Sequence, residues 1–156
     1  MGVAERTAIH CLHDDSKYWY DLSGRLREYD NIHPLDKKTP GERLFQLAKN
    51  LVYDRQGTIT ATAAQLFSDN GKLYVTFDHL HEKLVMQTAD SRPFEISGED
   101  NLFYPKKADV IHENMLCISN SAVKFPSAVK YAWYNFGEAV LFTESRNPVS
   151  PFFKSV

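Results

Sequence analysis

The segment Tyr29-Asp30-Asn31-Ile32-His33-Pro34 holds the residue types that ester hydrolysis requires. The reaction needs a base that takes a proton from a hydroxyl near neutral pH, and the unperturbed histidine pKa, about 6.5, suits this role. A carboxylate fixes the imidazole tautomer and stabilises the imidazolium that forms. Asp30 lies three residues before His33, so one turn of loop can place both side chains on the same side. By themselves, the two residues fit either a catalytic acid/base pair or a solvated Asp–His pair without a catalytic role.

A helix is predicted over residues 39–53, directly after this loop. Thr39 is a favourable N-cap, Pro40 takes the first helical position, and Glu42 completes a capping box. An apolar stripe at helical spacing follows, formed by Leu44, Leu47, Ala48 and Leu51. The other side is expected to face water through Glu42, Arg43, Lys49 and Asn50. Because little chain precedes the helix to cover its stripe, we interpret it as the last element of a domain mostly absent from this chain.

From Gly57 onward the sequence alternates between apolar and polar residues, which is typical of β-strands. Two such runs, residues 58–67 and 72–77, flank Asn70-Gly71, the strongest short signal for a β-hairpin. Glu113-Asn114 indicates another tight turn. Further strands are predicted at 84–87, 94–96, 108–112, 115–119, 129–133, 139–143 and the terminal Pro151-Phe152-Phe153. This succession of short strands predicts a mainly β fold, an antiparallel β-sandwich or jelly roll.

The bulk composition is that of a globular protein. Of the 156 residues, 43% are hydrophobic and 24% are charged, and the formal net charge is −2. No basic run or stripe is present, so the sequence lacks the electrostatic footprint of a nucleic-acid-binding protein. No apolar run approaches the roughly 18 residues of a membrane span, and residues 1–6 fit neither a signal peptide nor a myristoylation motif. We interpret Cys11 and Cys117 as buried free thiols, with a disulfide as the alternative.

Two histidine pairs suggest metal binding at first sight. His79 and His81 alternate along the chain and could chelate a metal from one face of a strand. No third ligand accompanies them in the sequence, and we interpret them as a surface or turn pair. His10 and His13 receive the same interpretation, so no metal site is predicted.

An aromatic cluster near the C-terminus could stack on a sugar. Its members are Tyr131, Trp133, Tyr134 and Phe136. We prefer core packing of a strand, with one or two rings facing a domain junction.

Four segments, in order along the chain, together resemble a known family. The first segment is similar to the last signature block of the SGNH hydrolases, and more narrowly to their sialate O-acetylesterase branch. It consists of Asp30-Asn31-Ile32-His33-Pro34-Leu35-Asp36-Lys37-Lys38 with Gly41-Glu42-Arg43-Leu44. The others resemble segments of the same branch and are Phe94-Glu95-Ile96-Ser97-Gly98-Glu99-Asp100, Val129-Lys130-Tyr131-Ala132-Trp133 and Asn147-Pro148-Val149-Ser150-Pro151-Phe152.

The resemblance implies roles for the acid/base pair and a division of the chain. His33 would be the general base and Asp30 its orienting partner. The family's nucleophile is a serine in a Gly-Asp-Ser block far upstream, and its oxyanion donors also lie upstream. This sequence contains no Gly-Asp-Ser. The chain therefore resembles only the C-terminal part of such an enzyme. Residues 1–55 would be the remnant of an SGNH α/β domain, with its last strand, catalytic loop and helix, and residues 56–156 a β-sandwich domain.

The function implied is a carboxylic ester hydrolase that removes O-acetyl groups from sialic acid or a related acetylated sugar. It would need no cofactor, and its partners would be that sugar and the missing catalytic segment or chain. The resemblance alone favours export to the periplasm or the extracellular space. Without nucleophile and oxyanion hole, the chain is expected to be inactive by itself. The alternative is a non-catalytic β-sandwich that binds carbohydrate or other partners.

Overall fold

The computed structural model describes residues 35–51, 53, 60–87, 93–133 and 139–156. Asp30, His33 and the other candidates before residue 35 lie outside the described residues, as do Tyr134 and Phe136. The described residues form a helix, α1 (Lys38–Leu51), and ten strands. The strands are β1 (Thr62–Asp69), β2 (Lys72–Asp78), β3 (Leu84–Met86), β4 (Phe94–Ser97), β5 (Tyr104–Lys106), β6 (Asp109–Ile111), β7 (Met115–Ile118), β8 (Ala128–Tyr131), β9 (Leu141–Thr143) and β10 (Phe152–Ser155).

The start of α1 is capped by Asp36 rather than by Thr39. Asp36 Oδ1 accepts the Thr39 backbone N–H at 3.0 Å, and Asp36 Oδ2 accepts the Thr39 hydroxyl at 2.7 Å. The prediction of Thr39 as N-cap is therefore wrong, because an upstream carboxylate satisfies a first-turn donor and also complements the helix dipole. Pro40 lies inside the first turn, where its missing N–H still costs nothing.

The β region is antiparallel throughout its paired strands, which confirms the mainly β prediction. Two four-stranded sheets have the orders β1-β2-β7-β6 and β10-β8-β4-β5, and β3 pairs with β9 in a two-stranded sheet. Side chains from both larger sheets belong to one buried hydrophobic cluster, among them Leu73, Val75, Ile96 and Val129. The sheets therefore share a core, and each keeps one face away from it.

The turn of the β1–β2 hairpin lies at Asn70-Gly71, as the sequence predicted. Asn70 and Gly71 have φ values of 48° and 73°, the left-handed conformations that a two-residue type I′ turn requires. Asp69 pairs directly with Lys72 across this turn. The turn between β6 and β7 lies one residue earlier than predicted, since positive φ occurs at His112 and Glu113.

Strand ends and one edge strand differ from the prediction for identifiable reasons. β8 stops at Tyr131 because Ala132 adopts a φ of 48° and donates its N–H to the Pro93 carbonyl at 2.8 Å. β5 was not predicted, since its three residues include Pro105, which cannot donate to a ladder. β5 lies at a sheet edge, the place where proline is tolerated in a strand. The terminal strand is confirmed as β10.

Tyr131 connects the core to β9. Its side chain is fully buried and its ring stacks on Phe94 with centroids 4.7 Å apart. The Tyr131 hydroxyl oxygen accepts the backbone N–H groups of Val140 at 3.2 Å and Leu141 at 2.9 Å. The interpretation of this ring as core, rather than as a sugar-stacking surface, is confirmed.

Candidate functional site

A cleft of about 590 Å³ lies between α1 and the turn that follows β9. Its volume lies within the roughly 300–1,000 Å³ of small-molecule sites. The lining combines charged, amide, hydroxyl and aromatic side chains: Thr39, Glu42, Arg43, Phe45, Gln46, Thr60, Ser145, Arg146, Asn147 and Pro148. The helix α1, which forms one wall of this cleft, begins five residues after His33 in the sequence.

Arg43, on the helical side of the cleft, interacts electrostatically with Asp36 at the start of α1. Hydrogen bonds from the Thr39 backbone N–H and then from its hydroxyl hold the pKa of Asp36 below its usual value, with a smaller contribution from Arg43. Burial lowers the pKa of Arg43, and the Asp36 carboxylate opposes that shift. Arg43 is thus half-buried rather than directed into water, which departs from the sequence expectation. Its guanidinium remains a cation at any physiological pH.

The opposite side of the cleft is a tight turn built on β9. The Arg146 N–H donates to the Thr143 carbonyl at 2.9 Å, and the Thr143 N–H donates to the Asn147 carbonyl at 2.9 Å. Arg146 has a φ of 62°, a conformation that a non-glycine residue adopts rarely and that reverses the chain here. Ser145, Arg146 and Asn147 of this turn belong to the cleft lining.

Glu82 anchors this turn to the loop after β2. Its carboxylate accepts the Ser145 hydroxyl at 2.6 Å and the Ser145 backbone N–H at 2.8 Å. Both bonds lower the pKa of Glu82 because they stabilise the ionised carboxylate, and the bond from the hydroxyl has the larger effect. Next to it, Lys83 Nζ donates to Glu113 Oε1 at 2.5 Å, and this contact raises the pKa of Lys83. The position of the turn therefore depends on the two hydrogen bonds that the Glu82 carboxylate accepts from Ser145.

The sequence-predicted candidates have different outcomes. Asp30 and His33 lie outside the described residues, so their roles stay predictions. His79 is half-buried with a φ of 59° and His81 is exposed. Among the described residues, no group of three or more His, Cys, Asp and Glu side chains could hold a metal ion. Cys117 is a half-buried free thiol, whereas Cys11 lies outside the described residues.

Sequence reasoning missed the cleft itself. Arg43 and Arg146 are about a hundred residues apart in the sequence, and no local pattern marks either as part of a site.

The described helix is too short and too polar to cross a membrane.

Comparisons with known proteins agree with the resemblance drawn from the sequence. No family model matches the chain. Over 150 residues the chain is 28% identical to a sialate O-acetylesterase from Mus musculus, a match that covers 87% of this chain and 27% of that protein. It superposes on the crystal structure of a carbohydrate acetylesterase from Xanthomonas citri with a TM-score of 0.73 and 28% identity, covering 84% of this chain and 31% of that one.

The chain thus spans about a third or less of the length of these two relatives. One relative is a sialate O-acetylesterase and the other a carbohydrate acetylesterase, and this chain shares its fold with part of the latter. The comparisons confirm that this chain resembles a C-terminal portion of a sialate O-acetylesterase-like protein.

Proposed function

We propose that this chain supplies the His–Asp part of a serine esterase that removes O-acetyl groups from sialic acid or a related sugar. The observation that carries the proposal is the likeness to two acetylesterases, combined with an Asp-x-x-His pattern in the family's last signature block. The activity belongs to the whole protein, since the nucleophile is expected in a segment that this sequence does not contain. No metal or organic cofactor enters this mechanism.

In the proposed reaction, the serine Oγ attacks the acetyl carbonyl while His33 takes its proton. The tetrahedral intermediate collapses when His33 returns that proton to the sugar oxygen, which leaves as an alcohol. Water then attacks the acetyl-serine by the same route, releasing acetate and restoring the serine. Asp30 would hold the imidazole in the correct tautomer and stabilise the imidazolium formed in each half-reaction.

The cleft beside α1 supports this proposal as a place for part of the sugar. Its hydroxyl, amide and guanidinium groups can donate hydrogen bonds to sugar oxygens, and Glu42 can accept them. Phe45, with 58% of its side chain exposed, offers an apolar surface beside them.

We also propose the division of the chain at residue 55. Leu44, a member of the predicted apolar stripe of α1, is 49% exposed among the described residues. That exposure supports α1 as the last helix of an SGNH α/β domain. The two sheets over one core support a sandwich or jelly roll for residues 56–156.

The test joins this chain to an upstream Gly-Asp-Ser-bearing segment, in one polypeptide or in trans. Acetate release from p-nitrophenyl acetate and from O-acetyl sialic acid should be near background for the chain alone and should appear after joining. His33→Ala should then lower kcat about 10²–10⁴-fold, the range of general acid–base catalysis. His79→Ala is the matched control and should leave kcat unchanged.

Full activity of His33→Ala would refute the assignment of His33 as the general base. Sugar binding without acetate release in any combination would instead favour the alternative, a non-catalytic carbohydrate-binding module.

A further inference from the structure

One cross-strand row of side chains lies on the outer face of the β10-β8-β4-β5 sheet. Phe153 pairs with Lys130, Lys130 pairs with Glu95, and Glu95 pairs with Pro105. The adjacent row, Phe152, Tyr131 and Phe94, is buried in the core. Since successive residues of a strand point to opposite faces, the first row points away from the core.

Aromatic rings surround the lysine in this row. The Phe103 and Phe153 rings meet edge to face with centroids 6.2 Å apart, and Trp133 lies 6.3 Å from Phe153. Lys130 Nζ lies 3.6 Å from the Phe103 centroid and 5.9 Å from that of Phe153. We call Glu95, Phe103, Lys130, Trp133 and Phe153 the aromatic face.

Two rings of the aromatic face are exposed, and its other three members are half-buried. Phe153 and Trp133 are 47% and 42% exposed. Contiguous exposed apolar rings rimmed by polar groups generally mark a binding surface, whereas single exposed rings need no explanation. The short distances between these rings and Lys130 mean that a ligand meets a surface already arranged.

The chemistry of the aromatic face fits a sugar ring. Exposed aromatic faces offer a flat apolar surface to the C–H groups of a pyranose. Lys130 supplies hydrogen-bond donors and Glu95 supplies acceptors, and a hydroxyl can use either. The charges of these two residues cancel, so the face has no net charge that selects an anionic sugar or a nucleic acid.

We propose that the aromatic face binds a neutral pyranose unit of a glycan, at a site separate from the cleft beside α1. The residues of the two sites do not overlap. The proposal does not depend on ester hydrolysis, because the aromatic face needs no nucleophile. It gives the β region a role of its own: holding the carbohydrate to which an acetylated sugar is attached.

The experiment titrates this chain, labelled with ¹⁵N, with lactose, cellotetraose and 3′-sialyllactose. A neutral sugar should shift the backbone amides of Lys130, Trp133 and Phe153 with saturation in the millimolar range. Raising the salt concentration should leave the Kd unchanged, and the sialylated sugar should bind no more tightly than lactose. Trp133→Ala and Phe153→Ala should each weaken binding about tenfold, as expected for the loss of one aromatic contact.

Phe125→Ala is the matched control, because Phe125 is 74% exposed and Lys124 Nζ lies 5.4 Å from its centroid, yet both lie outside the aromatic face. It should leave the Kd unchanged. The absence of saturable shifts at the aromatic face with all three sugars overturns the proposal without need of any variant. Analytical ultracentrifugation gives a second way to overturn it. If the parent chain sediments as a dimer and Phe153→Ala as a monomer, the aromatic face is an interface between two copies.

Discussion

Tyr131→Phe removes one oxygen atom from the core and should unfold the protein more easily. The hydroxyl accepts two backbone N–H groups, from Val140 at 3.2 Å and Leu141 at 2.9 Å, and both donors are buried. A buried donor left without a partner costs about 1–3 kcal/mol. The longer bond is the weaker of the two, so we expect a loss of about 2–3 kcal/mol in the free energy of unfolding. For a chain of this length, that corresponds to a fall of roughly 4–12 °C in Tm.

Urea denaturation followed by fluorescence and by far-ultraviolet circular dichroism measures this change as a shift in midpoint at constant slope. Tyr74→Phe is the control, because Tyr74 is only half-buried and its ring stacks on Phe67 at the surface of the other sheet. That variant should lie within about 0.5 kcal/mol of the parent. Equal stability of Tyr131→Phe and Tyr74→Phe would refute the reasoning, since the two hydrogen bonds would then contribute nothing measurable.

Two further predictions concern polar side chains. The pKa of Glu82 is lowered, so its stabilising contribution is complete above the usual glutamate pKa and is lost as the pH falls through the lowered one. In urea titrations, the stability difference between the parent and Glu82→Gln should be under about 1 kcal/mol at pH 7 and should shrink as the pH falls below the usual glutamate pKa. A constant difference across that range would contradict the assignment. Ser97 has a fully buried hydroxyl without a partner among the described residues, so Ser97→Ala should be neutral or stabilising, whereas Ser145→Ala should destabilise. Thermal unfolding of the two variants compares them directly, and a loss above 1 kcal/mol in Ser97→Ala would show a hidden bond.

Features determined by adjacent residues could be predicted from the sequence. The β1–β2 turn follows from Asn70-Gly71, because these residues adopt positive φ at little cost and the flanking strands need a two-residue turn. The helix was predicted because its pattern repeats over several turns, but its first residue was not. Thr39, Pro40 and Glu42 form a plausible capping box, yet the Asp36 carboxylate competes for the same donors. Local patterns therefore identify an element more reliably than they identify its end.

Features that depend on tertiary neighbours could not be predicted in this way. β5 contains a proline and becomes a strand only because it lies beside β4 at a sheet edge. The end of β8 depends on Ala132 donating to Pro93, which no window around residue 132 indicates. The aromatic cluster was interpreted as core with one or two rings facing a domain junction. Tyr131 is fully buried, whereas Trp133, which follows the end of β8, is 42% exposed, and the sequence did not indicate which ring would be which.

The same distinction separates the two halves of the proposed active region. The Asp30–His33 pattern is local, so the sequence alone was enough to suggest it, whereas the cleft depends on contacts between distant segments. Tyr131 holds the start of β9, and Glu82 holds the turn after it, so two residues outside the cleft lining fix where Arg146 and Asn147 lie. A substitution at either residue should therefore alter the position of the turn, although it changes none of the residues that line the cleft. In the joined enzyme, we expect Glu82→Gln to raise KM more than it lowers kcat, because we propose that the cleft that contains this turn binds the sugar and not the reacting ester.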